Sequence, residues 1–420
     1  MNGKSFFHHS WILKLIGILA GLFIIFVAGF SIMLQVSPSI GAYGADYLRK
    51  IVGEQPVALL ETAVFRMQDT IKRTEVNLGL EKPANPWQPN SASDVKASTG
   101  LASQSPQKSI TGSSGGQIIP DTTGPNPSPS PTLQAQPAQS DVWTPPAVTP
   151  LGTLEGAGSW TPYITDSTGR ILAYRTFLQP DPTRSYAMTA VVAFNLKEVQ
   201  LHYQVGFGEP YAPGVSKFSN GKIPSNFLSP NVLLAAFNGG FKVEHGAFGS
   251  MENGQTSVPP RNGFATVAIY RDGNVQIGEW GKDLGLSPDM VAFRQNGPLV
   301  IRNGLVTHQV DTPNYWGYTV NASAITWRSG IAIDQPGNTL YYFAGSYLTI
   351  HSLADAMMAV HAWNAMQLDI NNFWVNFESF TPTGDTLTPE PLFPKEMSAN
   401  TGRFLSPYVR DFFYVTAVTP

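Results

Sequence analysis

Three short stretches of this sequence combine residue types that could do chemistry. Asn238-Gly239-Gly240-Phe241 follows the apolar run Val232–Phe237. Two adjacent glycines there would let the backbone take positive φ and turn N–H groups into a cleft, a suitable seat for an anionic oxygen. Trp327-Arg328-Ser329-Gly330 puts a guanidinium at the mouth of a strand, where a bidentate bond to phosphate or carboxylate is possible. Leu368-Asp369-Ile370-Asn371-Asn372-Phe373-Trp374 ends a short apolar run on a carboxylate beside two amides and two aromatic rings, a grouping that suits a sugar. His245, in the glycine-rich loop Lys242–Gly249, lies close enough in sequence to Asn238 to reach the same cleft. Each stretch also has a structural reading: a tight turn with a bulge, an internal ion pair, an aspartate capping a turn.

Other chemistries are excluded by what the chain lacks. It has no cysteine, which removes thiol nucleophiles, iron–sulfur clusters, zinc ribbons and disulfides. The zincin, EF-hand, phosphate-binding-loop and serine-elbow patterns are absent. No metal or other cofactor is expected. With 26 Lys and Arg against 29 Asp and Glu, the formal charge of −3 offers no general attraction to a polyanion, so nucleic acid is not an expected partner.

The elements that must position these residues lie in 151–420. Short β-type runs alternate there with turn tokens. Arg271-Asp272-Gly273-Asn274 and Gln335-Pro336-Gly337-Asn338 each read as the turn of a hairpin. One helix is expected over Ser352–Met366, with Ser352 as its cap, Asp355 three residues on, and Leu353, Met357, Val360 and Asn364 on one face. AMQLDI then reads as a buried strand. The fold class is α+β: a strand-rich domain with a few packed helices. Whether Tyr174–Leu201 belongs to the core sheet or to an appended subdomain is open.

The chain of 420 residues exceeds one average domain, and its first 150 residues differ in kind. Residues 15–36 are long and apolar enough for one transmembrane helix, after a short cytoplasmic N-terminus of residues 1–14. A long cleaved signal peptide is the rival reading. A slight excess of positive charge before the span favours the N-terminus inside and an extracytoplasmic C-terminal domain, hence a single-pass protein of the cell membrane. Residues 46–80 carry Val57, Leu60, Val64, Met67, Ile71 and Leu78 at heptad spacing. They read as a helical stalk able to form a homodimer through a short coiled coil, or as an amphipathic helix lying on the bilayer or on the domain. Residues 81–150, rich in Pro, Ser and Gly, read as a disordered linker.

The order of motifs from Val232 to Tyr414, with Asn296-Gly297-Pro298-Leu299-Val300 and Asn303-Gly304 between the glycine-rich loop and the Arg-Ser-Gly strand, resembles the phosphodiester glycosidase family. That family is named for an enzyme that removes N-acetylglucosamine from a sugar-1-phosphate diester. The resemblance implies a hydrolase acting on a glycan or sugar-phosphate ligand, without cofactor. It implies Asp369 at the anomeric carbon and Arg328 with the N–H groups of Gly239 and Gly240 on the departing phosphate. Asn238, Asn371 and Asn372 would bind sugar hydroxyls, with Phe241, His245 and Trp374 lining the site. The family's D-G-G-G-S turn is replaced here by Asp369-Ile370-Asn371-Asn372-Phe373, whose bulkier side chains narrow the site. A carbohydrate-binding domain without turnover, and a structural surface protein, are the other readings.

Overall fold

A computed structural model describes Gly21 and residues 38–87, 143–312, 315–317 and 325–418. The expected N-terminus and membrane span, apart from Gly21, and the middle of the expected linker lie outside the described residues. Among the described residues no helix is long and apolar enough to cross a membrane. The chain divides into two compact units, one of Met1–Trp87 with Thr144–Pro420 and the other of Gln88–Trp143. Only Trp143 of the second is described.

Among the described residues the first unit is built from three antiparallel sheets, its strands numbered in chain order. The largest sheet runs β1 (Thr161–Thr165), β2 (Ile171–Leu178), β3 (Met188–Asn195), β14 (Thr339–Leu348), β13 (Thr326–Ile333), β15 (Asn364–Ile370), β11 (Leu299–Arg302) and β12 (Leu305–Val306). The second runs β17 (Thr386–Pro391), β16 (Phe377–Thr383), β5 (Leu233–Asn238), β18 (Phe412–Ala417) and β4 (Val199–Gln204). The third runs β7 (Gln255–Val258), β6 (Ser250–Glu252), β10 (Met290–Gln295), β8 (Ala265–Tyr270) and β9 (Val275–Glu279).

Residues from all three sheets share one core. Phe194, Tyr342 and Met366 of the first meet Phe237, Phe377 and Phe413 of the second and Val267 and Ile277 of the third. The Phe237 ring centres this contact, 4.7 Å from Tyr342 and 5.5 Å from Phe413. Such β-branched and aromatic runs, buried on both faces, form strands because only sheet neighbours satisfy their backbone while burying every side chain.

Both expected hairpins are present, joining β8 to β9 and β13 to β14. The segment Tyr174–Leu201 belongs to the core: β2 and β3 lie in the first sheet and β4 edges the second. The expected helix is shorter and starts earlier. Helix α3 (Ile350–Ala359) is capped by Thr349, whose hydroxyl accepts from the Ser352 N–H while Ser352 Oγ accepts from the Thr349 N–H. Ser352 is thus the third helical residue of a capping box, and Asn364 already belongs to β15.

The expected stalk is two helices, α1 (Pro38–Val52) and α2 (Glu54–Asn77), joined at Gly53 with φ 85°. They lie against the β-rich body, one of the alternatives the sequence allowed. Asp69 of α2 accepts from Arg184 Nε at 3.0 Å and from the Tyr186 hydroxyl at 2.7 Å. Val57 and Val64 of the heptad seam are buried, whereas Ile71 and Leu78 are exposed. Both described ends of the expected linker also dock. The Trp87 indole N–H donates to Leu392 O, and its ring faces the Arg175 guanidinium at 4.3 Å. The Thr149 N–H donates to Ala359 O at the end of α3.

Candidate functional site

Two neighbouring strands of the second sheet and one of the first converge at their ends. β18 pairs with β5 so that Phe412 lies opposite Asn238, which sets Arg410 and Asp411 beside the Asn-Gly-Gly corner. From the first sheet, β15 brings Asp369. Across the β13–β15 ladder Arg328 faces Ile370 and Gly330 faces Gln367, so two residues on β13 span three on β15. That bulge falls at Leu368–Asp369, and an extra residue of this kind re-aims a side chain at a strand end.

The corner and the bulge are tied together by a buried chain of hydrogen bonds. Asn238 Nδ2 donates to Ser329 Oγ at 2.9 Å, and the Asp369 N–H donates to the same oxygen at 3.1 Å. The Tyr342 hydroxyl donates to Asn238 Oδ1 at 2.9 Å. Beneath the corner, Arg294 Nε donates to Asp411 Oδ2 at 2.7 Å with both side chains buried.

These bonds redistribute the roles expected of the first two motifs. Neither Gly239 nor Gly240 takes a left-handed φ. The Gly239 N–H donates to Asp411 O and the Gly240 N–H to Asp411 Oδ2, so both are satisfied inside the fold rather than aimed at a ligand. What the corner needs from glycine is close approach: a Cβ on Gly239 would strike the Asp411 carboxylate. Arg328 is fully buried and donates to Leu348 O, Trp316 O and Gln367 Oε1. Burial pushes its pKa down to about 9, so it remains charged at neutral pH. Strand ends read from sequence place a residue near a cleft, but not on the side that opens to it.

A small cavity of about 70 Å³ opens at this junction. Of the residues expected to line it, Phe241, His245, Asp369, Asn371 and Trp374 do so; Asn238, Gly239, Gly240, Arg328 and Asn372 do not. Lys242, Arg410 and the helix residues Asp46, Arg49 and Glu61 also line it, and sequence reasoning missed all five. The signal available for Arg410 was its place just before the strand-like FFYVTAV, the same kind of position that singled out Arg328.

Asp369 is the buried acid of the cavity. Arg410 Nη2 forms an ion pair with Asp369 Oδ2 at 2.7 Å and donates a hydrogen bond to Gly240 O at 2.6 Å. The Ile370 N–H donates to Asp369 Oδ1 at 2.8 Å. Desolvation by burial raises the carboxyl to about 6, against the pull of the Arg410 charge. His245 behaves oppositely: burial, then the positive charges of Arg49, Lys242 and Arg410, press its pKa down to about 3, so its ring is neutral. Its Nε2 is buried without a hydrogen-bond partner. Glu209 lies within the field of Arg410 and Lys242, and burial raises its carboxyl. The Trp374 face carries the Arg410 guanidinium at 4.5 Å and the Lys242 ammonium at 5.4 Å.

The site therefore offers the buried Asp369 carboxyl with a pKa of about 6, two cations held on an aromatic face, the further charges of Asp46, Arg49 and Glu61 from the helices, an amide side chain and a neutral imidazole. No group of three or more carboxylates or histidines among the described residues is gathered as metal ligands.

Residues 231–369 match the family model described as phosphodiester glycosidase, the family the motif order resembles; Asp369 is the last residue matched. No curated protein matches the chain significantly. Among solved structures it is similar to a hypothetical protein from Synechocystis, at 11% identity over 55% of this chain and 59% of that one, with a TM-score of 0.31. The chain thus spans less than two thirds of that protein. It is also similar to a protein from Burkholderia pseudomallei K96243 at 10% identity, covering 55% of this chain and 74% of that one, with a TM-score of 0.25.

Proposed function

We propose that this protein, similar over residues 231–369 to phosphodiester glycosidases, hydrolyses the bond between a sugar and a phosphodiester group in a surface or extracellular glycan. In this reading the segment 15–36 anchors it in the cell membrane, with the β-rich body outside. The observation that carries the proposal is the Asp369–Arg410 pair in the cavity, beside Lys242 and the Trp374 face.

Cleavage passes through an oxocarbenium-like state, and a phosphate monoester leaves without needing a strong proton donor. Water adds to the anomeric carbon as its bond to the phosphate oxygen breaks. With its pKa near 6, Asp369 is mostly ionised at neutral pH, and is basic enough to take a proton from that water or to stabilise the charge developing on the ring. Arg410 and Lys242, rather than Arg328 and the glycine N–H groups, hold the departing phosphate. Asn371 and the free Nε2 of His245 meet sugar hydroxyls.

The test is release of N-acetylglucosamine from a phosphodiester-linked substrate by the full chain. Asp369→Asn, which keeps the shape of the side chain, is expected to lower turnover roughly 10²–10⁴-fold; it leaves buried Arg410 without its carboxylate partner, so thermal stability should fall as well, and rates are compared at a temperature where the variant stays folded. Retention of the glycan with no sugar released by wild type would assign the domain to carbohydrate binding instead.

A further inference from the structure

Tyr43 and Asp46 of α1, one turn apart, both reach the site. The Tyr43 ring packs edge-on against Phe373 at 5.6 Å and Trp374 at 5.8 Å. Asp46 accepts from Lys242 Nζ through Oδ2, and from Arg49 Nη1 through Oδ1 at 3.2 Å. Residues three apart on a helix share a face, so both contacts are made at once. A ring on an aromatic platform and a carboxylate on the site's ammonium are what a sugar phosphate would present. With α1 in place the cavity measures about 70 Å³, against the roughly 300 Å³ or more of sites that enclose small ligands.

The hairpin is held unevenly. Its second helix is fixed to the body through buried Asp69. Among the α1 residues whose side chains are described, only Ala45 is buried, while Tyr47 and Ile51 are more than 60% exposed. Gly53, at positive φ with open space around it, joins the helices and is the place where a change of backbone angle costs least.

We infer that α1 is an internal stand-in for substrate: Tyr43 and Asp46 occupy the ring and anion positions, and ligand enters only as α1 swings out about Gly53. This rests on the proposed function only for the identity of the ligand; the anion site itself can be probed with inorganic phosphate. In the full chain, Asp46→Asn and Tyr43→Ala should each bind phosphate on the order of tenfold more tightly than wild type, because a larger fraction of molecules is open. Adding Lys242→Ala to Asp46→Asn should abolish the gain. Saturating phosphate should also speed amide exchange of residues 43–52 in the wild type.

Equal or weaker phosphate affinity in both single variants would overturn the inference, as would slower exchange in α1 on phosphate binding or a gain that survives loss of Lys242. Tyr43 is half-exposed, so Tyr43→Ala keeps the test open if Asp46→Asn folds poorly. Tighter phosphate binding without sugar release by any variant would support the stand-in and sink the hydrolase reading. Sugar release by wild type, with phosphate affinity the same in all three proteins, would do the reverse.

Discussion

Asp369 acquires its character from two opposed influences. Removal from water favours the neutral acid, and the Arg410 guanidinium at 2.7 Å favours the carboxylate; the balance lies at about 6, above an ordinary aspartate. If the ionised form does the work, activity falls as pH drops through about 6. In Arg410→Gln the restraining charge is gone while the desolvation remains, so the acidic limb of the rate profile should move to higher pH and the maximal rate should fall. A profile unchanged in position would show that Asp369 does not set that limb. Arg328 illustrates the contrary case. It has the same residue type at a comparable strand boundary, but three internal acceptors bind its guanidinium on the closed side of the sheet.

At the level of elements, the site depends on how two sheets end. The extra residue in β15 turns Asp369 toward the junction, and the β5–β18 register sets Arg410 and Asp411 against the glycine corner. Glycine is needed at position 239 because the Asp411 carboxylate lies where a side chain would begin. Gly239→Ala should therefore displace Asp411 from Arg294 and strand a buried charge. The cost should be about 3 kcal/mol or more, read as a lowered denaturant midpoint with unchanged slope. A loss under about 0.5 kcal/mol, the scale of a neutral surface change, would mean the corner relaxes freely. The helix α3 shows a boundary shifted for a local reason: Thr349 satisfies the Ser352 N–H, and Ser352 reciprocates, so the chain enters the helix three residues before Ser352.

Over the whole molecule, the helices α1 and α2 pack on the β-rich body and form one wall of its cavity. The contact at Asp69 holds this arrangement. A hydrogen bond to a charged group contributes roughly 1.5–3 kcal/mol, so Asp69→Asn should speed amide exchange across α2 about tenfold or more. Exchange in β5 and β18 should stay as it is; equal acceleration everywhere would mean that the hairpin and body open as one unit. The strand-rich class, both hairpins, the buried strand that carries Asp369 and the order of motifs are legible in the residues alone, because period, turn residues and apolar runs are local properties. The heptad seam of α2 was legible too, but not what it faces. Tertiary packing alone sets Arg410, rather than Arg328, against Asp369, brings Lys242 into the same cavity, and carries Tyr43 and Asp46 across from α1. Those partners are far apart along the chain, and they meet through strand register, a bulge and helix docking, each the outcome of packing the whole chain at once.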